Sequence, residues 1–276
     1  MKAQTVLKID ALSVSLTGTT NINAQLVRNV SLSVDRGQVT GLIGESGCGK
    51  SLTCLAIMNL LPESMQQSSG TIELAGIPVH SFRSLCCCYR GSKAALILQN
   101  PITCFDPIFT IAQHIRETLS AHGMQYRKRL TDIRATLHGL GFDEPDTILA
   151  AYPFQLSGGM LQRIMISLAL LLEVELLIAD EPTTDLDVIV QSKILDLLDV
   201  LRREKNIGIL MVTHDLSVIA RLADQVVVMQ HGCIVETGPV AKIFKSPRHT
   251  YTTNLLDAHF SLYNLELVRE EKYEVA

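Results

Sequence analysis

Gly44-Glu45-Ser46-Gly47-Cys48-Gly49-Lys50-Ser51 is the stretch on which the reading of this chain turns. It fits the pattern G-x-x-x-x-G-K-[ST] in full. The apolar run Val39 to Ile43 before it reads as a short strand, and Lys50 to Leu61 after it reads as a helix closed by Pro62. The glycines let the backbone curl so that its N–H groups point inward at phosphate oxygens. The helix that starts there adds its positive end to the same spot. Lys50 is placed to reach the β- and γ-phosphates as a mobile point charge, and Ser51 offers a hydroxyl oxygen to Mg²⁺, a hard ion that takes oxygen ligands. The residues between the glycines, Glu45, Ser46 and Cys48, enter through their backbone. The competing reading is a glycine-rich turn before a helix. The flanking strand and helix favour a nucleotide site.

A second stretch points the same way. Leu176-Leu177-Ile178-Ala179-Asp180-Glu181 is an apolar run tipped by two acids. A buried central strand carries such a run, and ligands of open α/β sheets bind at the carboxyl edge where the acids emerge. There Asp180 would hold the Mg²⁺ shell and Glu181 would polarise the attacking water as a general base. Taken alone, the acids followed by Pro182 and Thr183 also fit a helix cap.

Outward from these two stretches the chain alternates. Leu7 to Ile9, Leu12 to Leu16, Val30 to Val34, Thr71 to Leu74 and Ala94 to Leu98 read as strands. From Thr110 to Ala151 the chain reads as helices punctuated by Gly123, Gly141 and Pro145, and Ser157 to Leu172 is helical again. Then come helix (Val188 to Glu204), strand (Ile207 to Val212), helix (Leu216 to Leu222) and strand (Gln225 to Met229). That order predicts an α/β core with a mostly parallel sheet, an antiparallel β region at the front and an inserted helical subdomain over about 102–172. The expected domain runs over 1–253, with 254–276 an extension ending in a solvated tail.

Leu156-Ser157-Gly158-Gly159-Met160 precedes a helix that Ser157 would cap, with two glycines leaving backbone N–H groups bare. Two anion-binding helix starts in one chain suggest a composite site, in which the second grips the γ-phosphate of a nucleotide held by another subunit. With these motifs in order, the chain resembles the ATPase subunits of ABC transporters. In that resemblance, Ser157, Gly158 and Gly159 fall in the family signature, with Met160 where Gln is commonest. Gln99 matches a glutamine that touches Mg²⁺ and water and links to the helical subdomain. Thr184-Asp185-Leu186-Asp187 matches the loop crossing the dimer interface, and His214 matches a switch histidine at the γ-phosphate.

Finer details resemble the peptide and nickel importer branch of the family. They are Gln99-Asn100-Pro101 with Phe105-Asp106-Pro107, the SGGMLQR variant at Ser157 to Arg163, and Ser246-Pro247-Arg248-His249-Thr250-Tyr251-Thr252 near the end, with Thr250 in place of Pro. Lys50 to Cys54, Leu61-Pro62-Glu63, Tyr152-Pro153-Phe154, Asp185 where the branch usually has Ala, and Ala258 to Tyr263 resemble its nickel-import members. The resemblance implies an ATP- and Mg²⁺-dependent motor at the cytoplasmic face of the inner membrane. It further implies a second ATPase subunit that is a relative rather than a copy, two transmembrane permeases and an extracytoplasmic substrate-binding protein. Uptake of a di- or oligopeptide is the alternative cargo. The family's adenine-stacking aromatic aligns with Leu16, so the base would meet an aliphatic side chain.

Composition bounds the rest. The chain has 276 residues, 47% hydrophobic and 19% charged, with a net charge of −4. That excludes disorder and gives no basic footprint for nucleic acid. An ATPase linked to nucleic acid or translation is the alternative from another class, and the acidic balance and single cassette argue against it. A nucleotide-binding regulator without turnover is a third reading, which the presence of both Glu181 and His214 opposes. Seven cysteines fit a reducing compartment rather than a disulfide framework. No secretory leader or membrane span is expected, because the greasiest run, Ile164 to Ala179, is short and interrupted by Glu173 and Glu175. Cys86-Cys87-Cys88 alternate sides in an extended chain and do not converge on an ion. The longer peptide ATPases of the family it resembles can carry a cysteine-rich cluster near the end; here no Cys follows Cys233, so no iron–sulfur cluster is expected, and scattered histidines argue against direct nickel binding. Arg127-Lys128-Arg129 reads as a solvated face.

Overall fold

The computed structural model describes residues 4–18, 25–79, 89–183 and 186–262. The front of the molecule is an antiparallel sheet of β1 (Thr5–Leu16), β2 (Gln25–Asp35), β4 (Met65–Leu74) and β5 (Ile77–Pro78), in the order β2-β1-β4-β5. Behind it lies a six-stranded sheet that holds β3 (Val39–Ile43), β6 (Ala94–Ile97), β7 (Leu176–Asp180), β8 (Gly208–Val212), β9 (Gln225–Gln230) and β10 (Cys233–Pro239). Its order is β10-β9-β3-β8-β7-β6, parallel except for the β10–β9 edge pair.

The parallel strands are apolar on both faces because both faces are covered. Side chains alternate across the sheet with period two. Leu42, Leu176, Ile178, Leu210, Val212 and Val227 pack with the antiparallel sheet and α1 (Lys50–Ile57). Ile43, Leu177, Ala179, Ile209, Met211 and Val228 pack on the opposite side with the helices. Those helices include α5 (Gly158–Leu171), α6 (Val188–Lys205) and α7 (Leu216–Leu222).

Between the adjacent strands β6 and β7 the chain makes a long helical excursion through α2 (Ile111–Ala121), α3 (Leu130–Gly139), α4 (Pro145–Ala150) and α5. Thr110 and Gln113 form a reciprocal capping box that starts α2. Ile111, Ile115, Leu119, Ile133 and Leu137 are each fully buried. The basic run is only partly a solvated face. Arg127 and Lys128 are exposed. Arg129 instead pairs with Asp132 at 3.1 Å and donates to the Leu171 carbonyl at 3.1 Å, tying the start of α3 to the end of α5.

Several boundaries differ from the sequence reading, each for a local reason. The two front strands are one strand. A bulge at Ala11 (φ 51°) shifts the register between Ile9 and Leu12 and breaks the alternation. Gly70 lies opposite, at φ 87°, where a Cβ would sit 2.4 Å from the Ala11 carbonyl oxygen. Helix α1 stops at Ile57, short of Leu61. Asn59 takes the left-handed conformation (φ 52°), with Asn59 N–H bonding Ala56 O at 3.0 Å and Leu60 N–H bonding Leu55 O at 2.8 Å. This is a Schellman ending with Asn in the usual glycine place.

After β10 come α8 (Val240–Lys245) and α9 (Thr250–Leu262), neither of which the sequence reading had identified. Residue 253 lies inside α9, and Leu256 beyond it is fully buried. Cys86, Cys87, Cys88, Thr184, Asp185 and the tail from 263 onward lie outside the described residues.

Candidate functional site

Four neighbouring parallel strands end at one level. The register pairs Leu42 with Val212, Val212 with Asp180, and Ala179 with Ile97. The segments leaving their carboxyl ends therefore meet. They carry the 44–51 loop after β3, His214 after β8, Glu181 after β7 and Gln99 after β6. Ser46, Gly47, Gly49, Lys50 and Ser51 form one wall of a cleft of about 460 Å³, and Gln99, Asp180, Glu181 and His214 form the other.

The loop is compact for identifiable reasons. Gly44 has φ 151°, and a Cβ there would lie 2.1 Å from the Met229 carbonyl oxygen and 2.9 Å from Cys48 Sγ. Gly49 precedes α1 at φ 106°, and the Thr53 hydroxyl donates back to its carbonyl at 2.9 Å. Lys50 is buried, and its Nζ donates to Gly44 O at 2.8 Å and Glu45 O at 2.9 Å. The ammonium that the sequence assigns to phosphate is thus held by carbonyl oxygens of its own loop. Cys48 turns its N–H onto Glu45 O at 3.3 Å and buries its thiol beside Lys50, 3.8 Å from Nζ. Burial pushes that thiol up, against the nearby lysine charge. The Glu45 N–H donates to the Tyr251 hydroxyl at 2.9 Å, a contact the sequence reading had missed although it singled out the segment around Tyr251.

On the acidic wall Asp180 and Glu181 are both buried. Burial pushes the Asp180 carboxyl above the ordinary range and the Glu181 charge adds to that, while Ser51 and Lys50 work against it. Asp180 Oδ1 is buried without a hydrogen-bond partner. A buried, unpartnered carboxylate oxygen beside a serine hydroxyl and a glutamine amide is an all-oxygen donor set, which fits Mg²⁺. Among the described residues no cluster of three or more His, Cys, Asp or Glu side chains is placed to hold a metal ion.

Glu181 adopts φ 54°, a left-handed conformation that L side chains rarely take, and donates its N–H to Val212 O at 2.8 Å. Such strain gathers where the surrounding structure imposes it. His214 Nδ1 lies 2.8 Å from the Glu181 carboxylate. Facing a carboxylate, Nδ1 carries the proton, which leaves Nε2 as the ring's free acceptor in the neutral form. The His214 side chain is 70% exposed and that of Glu181 only 10%. Asp215 caps α7 from the same loop, accepting from Ser217 N–H at 2.8 Å and from Gln191 at 3.3 Å. Burial pushes its carboxyl up, but the Ser217 and Gln191 bonds outweigh that and hold it below its ordinary value.

The other expected residues do not join this cleft. Ser157 caps α5 as its sequence suggests, its hydroxyl accepting Met160 N–H at 3.3 Å. Ser157 and Gly158 are exposed, Gly159 is half-buried, and none of the three lines the cleft. Asp187 caps α6, accepting Val190 N–H at 2.9 Å, and is likewise exposed. Leu16, at the end of β1, is 39% exposed. Gln162 at the start of α5 donates to Pro182 O at 3.1 Å, joining the signature helix to the acidic strand end.

The chain is similar to known proteins over most of its length. Residues 27–184 match the family described as ABC transporter. The chain is 46% identical over 255 residues to a nickel import ATP-binding protein NikD of Brucella abortus, covering 91% of this chain and 95% of that protein. It is 42% identical over 244 residues to a glutathione import ATP-binding protein GsiA of Escherichia coli, covering 84% of this chain and 38% of that one. Among solved structures, an ATP binding subunit of an ABC transporter superposes with a TM-score of 0.76 at 27% identity, over 92% of this chain and 99% of that one. Among the described residues no helix is long and apolar enough to cross a membrane.

Proposed function

The chain belongs to the ABC transporter family, and from that premise we propose that it is the ATP-hydrolysing motor subunit of an importer whose cargo is nickel or a nickel complex. The observation that carries the ATPase reading is the convergence of the 44–51 loop, Asp180, Glu181, Gln99 and His214 on one cleft. The cargo rests on the nickel-import relatives, because nothing in this cleft selects a cargo.

Lys50 leaves the Gly44 and Glu45 carbonyls for the β- and γ-phosphates of ATP, exchanging neutral acceptors for anionic ones, which make the stronger bonds. The loop N–H groups and the start of α1 take the remaining phosphate oxygens. Ser51, Gln99 and Asp180 are the residues that would hold Mg²⁺. Bound there, the ion would neutralise developing phosphate charge as a Lewis acid. Glu181 takes a proton from the attacking water, and its carboxylate is kept oriented by His214 Nδ1. His214 meets the γ-phosphate as the imidazolium, in which Nε2 donates as well as Nδ1.

Ser157, Gly158, Gly159 and Asp187 are exposed or half-buried away from the cleft, which supports a role on a facing subunit. In this reading each ATP is closed over by the partner's signature helix, and this chain's α5 closes the partner's site. Closure driven by ATP requires that ATP bind the closed pair better than the open one. The partner is a related ATPase subunit. The pair sits peripherally at the cytoplasmic face of the inner membrane, beneath two permeases supplied by an extracytoplasmic binding protein. Peptide import is the second reading, favoured by the glutathione-import relative. Uptake of radiolabelled nickel and of a labelled dipeptide by cells with and without this chain separates the two. Nickel entry should fall and peptide entry persist; loss of peptide entry alone would overturn the nickel assignment.

A further inference from the structure

The segment Ser246-Pro247-Arg248-His249-Thr250-Tyr251 plays no part in the phosphate chemistry derived above, yet its last residue touches the phosphate loop. Tyr251 is the second residue of α9 and is 8% exposed. Its hydroxyl accepts the Glu45 N–H at 2.9 Å. That N–H belongs to the same peptide unit as the Gly44 carbonyl, which accepts Lys50 Nζ at 2.8 Å. The N–H and C=O of a trans peptide point in opposite directions. The unit is therefore held from both sides, by an ammonium at one end and a phenol at the other.

The two holds differ in what happens when ATP arrives. Lys50 moves to phosphate and releases the Gly44 carbonyl. Tyr251 is neutral and has no anion to follow, so its hold persists. Tyr251 is itself anchored. Glu236 on β10 accepts the backbone N–H groups of Arg248 at 2.8 Å and His249 at 3.1 Å, and His249 Nδ1 accepts the Tyr251 N–H at 3.2 Å. A chain of hydrogen bonds thus runs from the sheet edge through the start of α9 to the phosphate loop.

We propose that Tyr251 is a positioning residue for the nucleotide site, its hydroxyl holding the Gly44–Glu45 peptide in place while Lys50 exchanges carbonyl oxygens for phosphate. The inference rests on the ATP-binding reading. The test is fluorescence titration of the full-length chain with TNP-ATP in the presence of Mg²⁺. Tyr251→Phe keeps the buried ring and deletes the hydroxyl; its Kd should be roughly fivefold weaker than wild type, the size of one ordinary hydrogen bond. Amide exchange gives a second reading of the same variant: Glu45 should exchange faster in Tyr251→Phe, while Cys48, whose N–H stays on the Glu45 carbonyl, should not change.

Wild-type affinity in Tyr251→Phe, or unchanged exchange at Glu45 in that variant, would overturn the role of Tyr251 and leave the ATP reading intact. A wild-type chain that does not bind TNP-ATP would remove the ATP reading and this inference with it. Amide exchange at Glu45 in the nucleotide-free wild-type chain needs no variant. Protection is expected, and free exchange would overturn the proposal.

Discussion

Glu181→Gln separates binding from chemistry in this site. Gln has nearly the same shape, so it keeps the Cβ that already sits at φ 54° and the backbone bond to Val212 O. Its amide can still meet His214 Nδ1, now 2.8 Å from the carboxylate. What is lost is the negative charge and the ability to take a proton, at a side chain only 10% exposed where no solvent base stands in easily. General-base catalysis contributes roughly 10²- to 10⁴-fold, so turnover should fall by at least about a hundredfold, or about 2.7 kcal/mol of barrier. Mg-ATP affinity should hold or rise, because a negative charge beside the γ-phosphate has gone. Steady-state phosphate release by the assembled complex, read beside equilibrium nucleotide binding, measures both. Turnover within threefold of wild type would refute the assignment of Glu181 as base. An equal loss of binding and turnover would show that Glu181 shapes the pocket instead.

Lys50→Ala should abolish detectable TNP-ATP binding, since the buried ammonium of the cleft is removed; tight binding by that variant would overturn the placement of phosphate on this loop. Gly44→Ala should destabilise the chain by about 2–4 kcal/mol, because a Cβ 2.1 Å from the Met229 carbonyl forces backbone to move. Thermal melting checks this, and an unchanged midpoint would contradict the geometry. Glu236 contributes a pH dependence. Burial pushes its carboxyl up, but the nearby Thr252 hydroxyl and the hydrogen-bonding N–H groups of Arg248 and His249 hold it below its ordinary value. A depressed carboxyl stabilises the fold above its unfolded pKa and loses that contribution as pH falls through the folded value. Acid melts of wild type should therefore lose stability below about pH 4.5, and Glu236→Gln should be less stable at neutral pH and flatter on acidification. Parallel curves for the two proteins would exclude Glu236 as a contributor.

What the chain's order of residues determined unaided is local. The glycines of the phosphate loop, the serine cap of α5 and the acid-tipped apolar strand each declare themselves within a few neighbours, because backbone conformation and capping depend on adjacent residues. The alternation of strands and helices then follows from periodicity, and the parallel sheet from connection rules. Tertiary structure decided what depends on distant partners. Whether Leu7 to Leu16 is one strand or two hangs on a bulge braced by Gly70 across the sheet. The meeting of Gln99, Glu181 and His214 depends on the register of strands that lie far apart in sequence. The hold of Tyr251 on Glu45 spans 206 positions, and no pattern of neighbouring residues encodes a contact that only the packing of α9 creates.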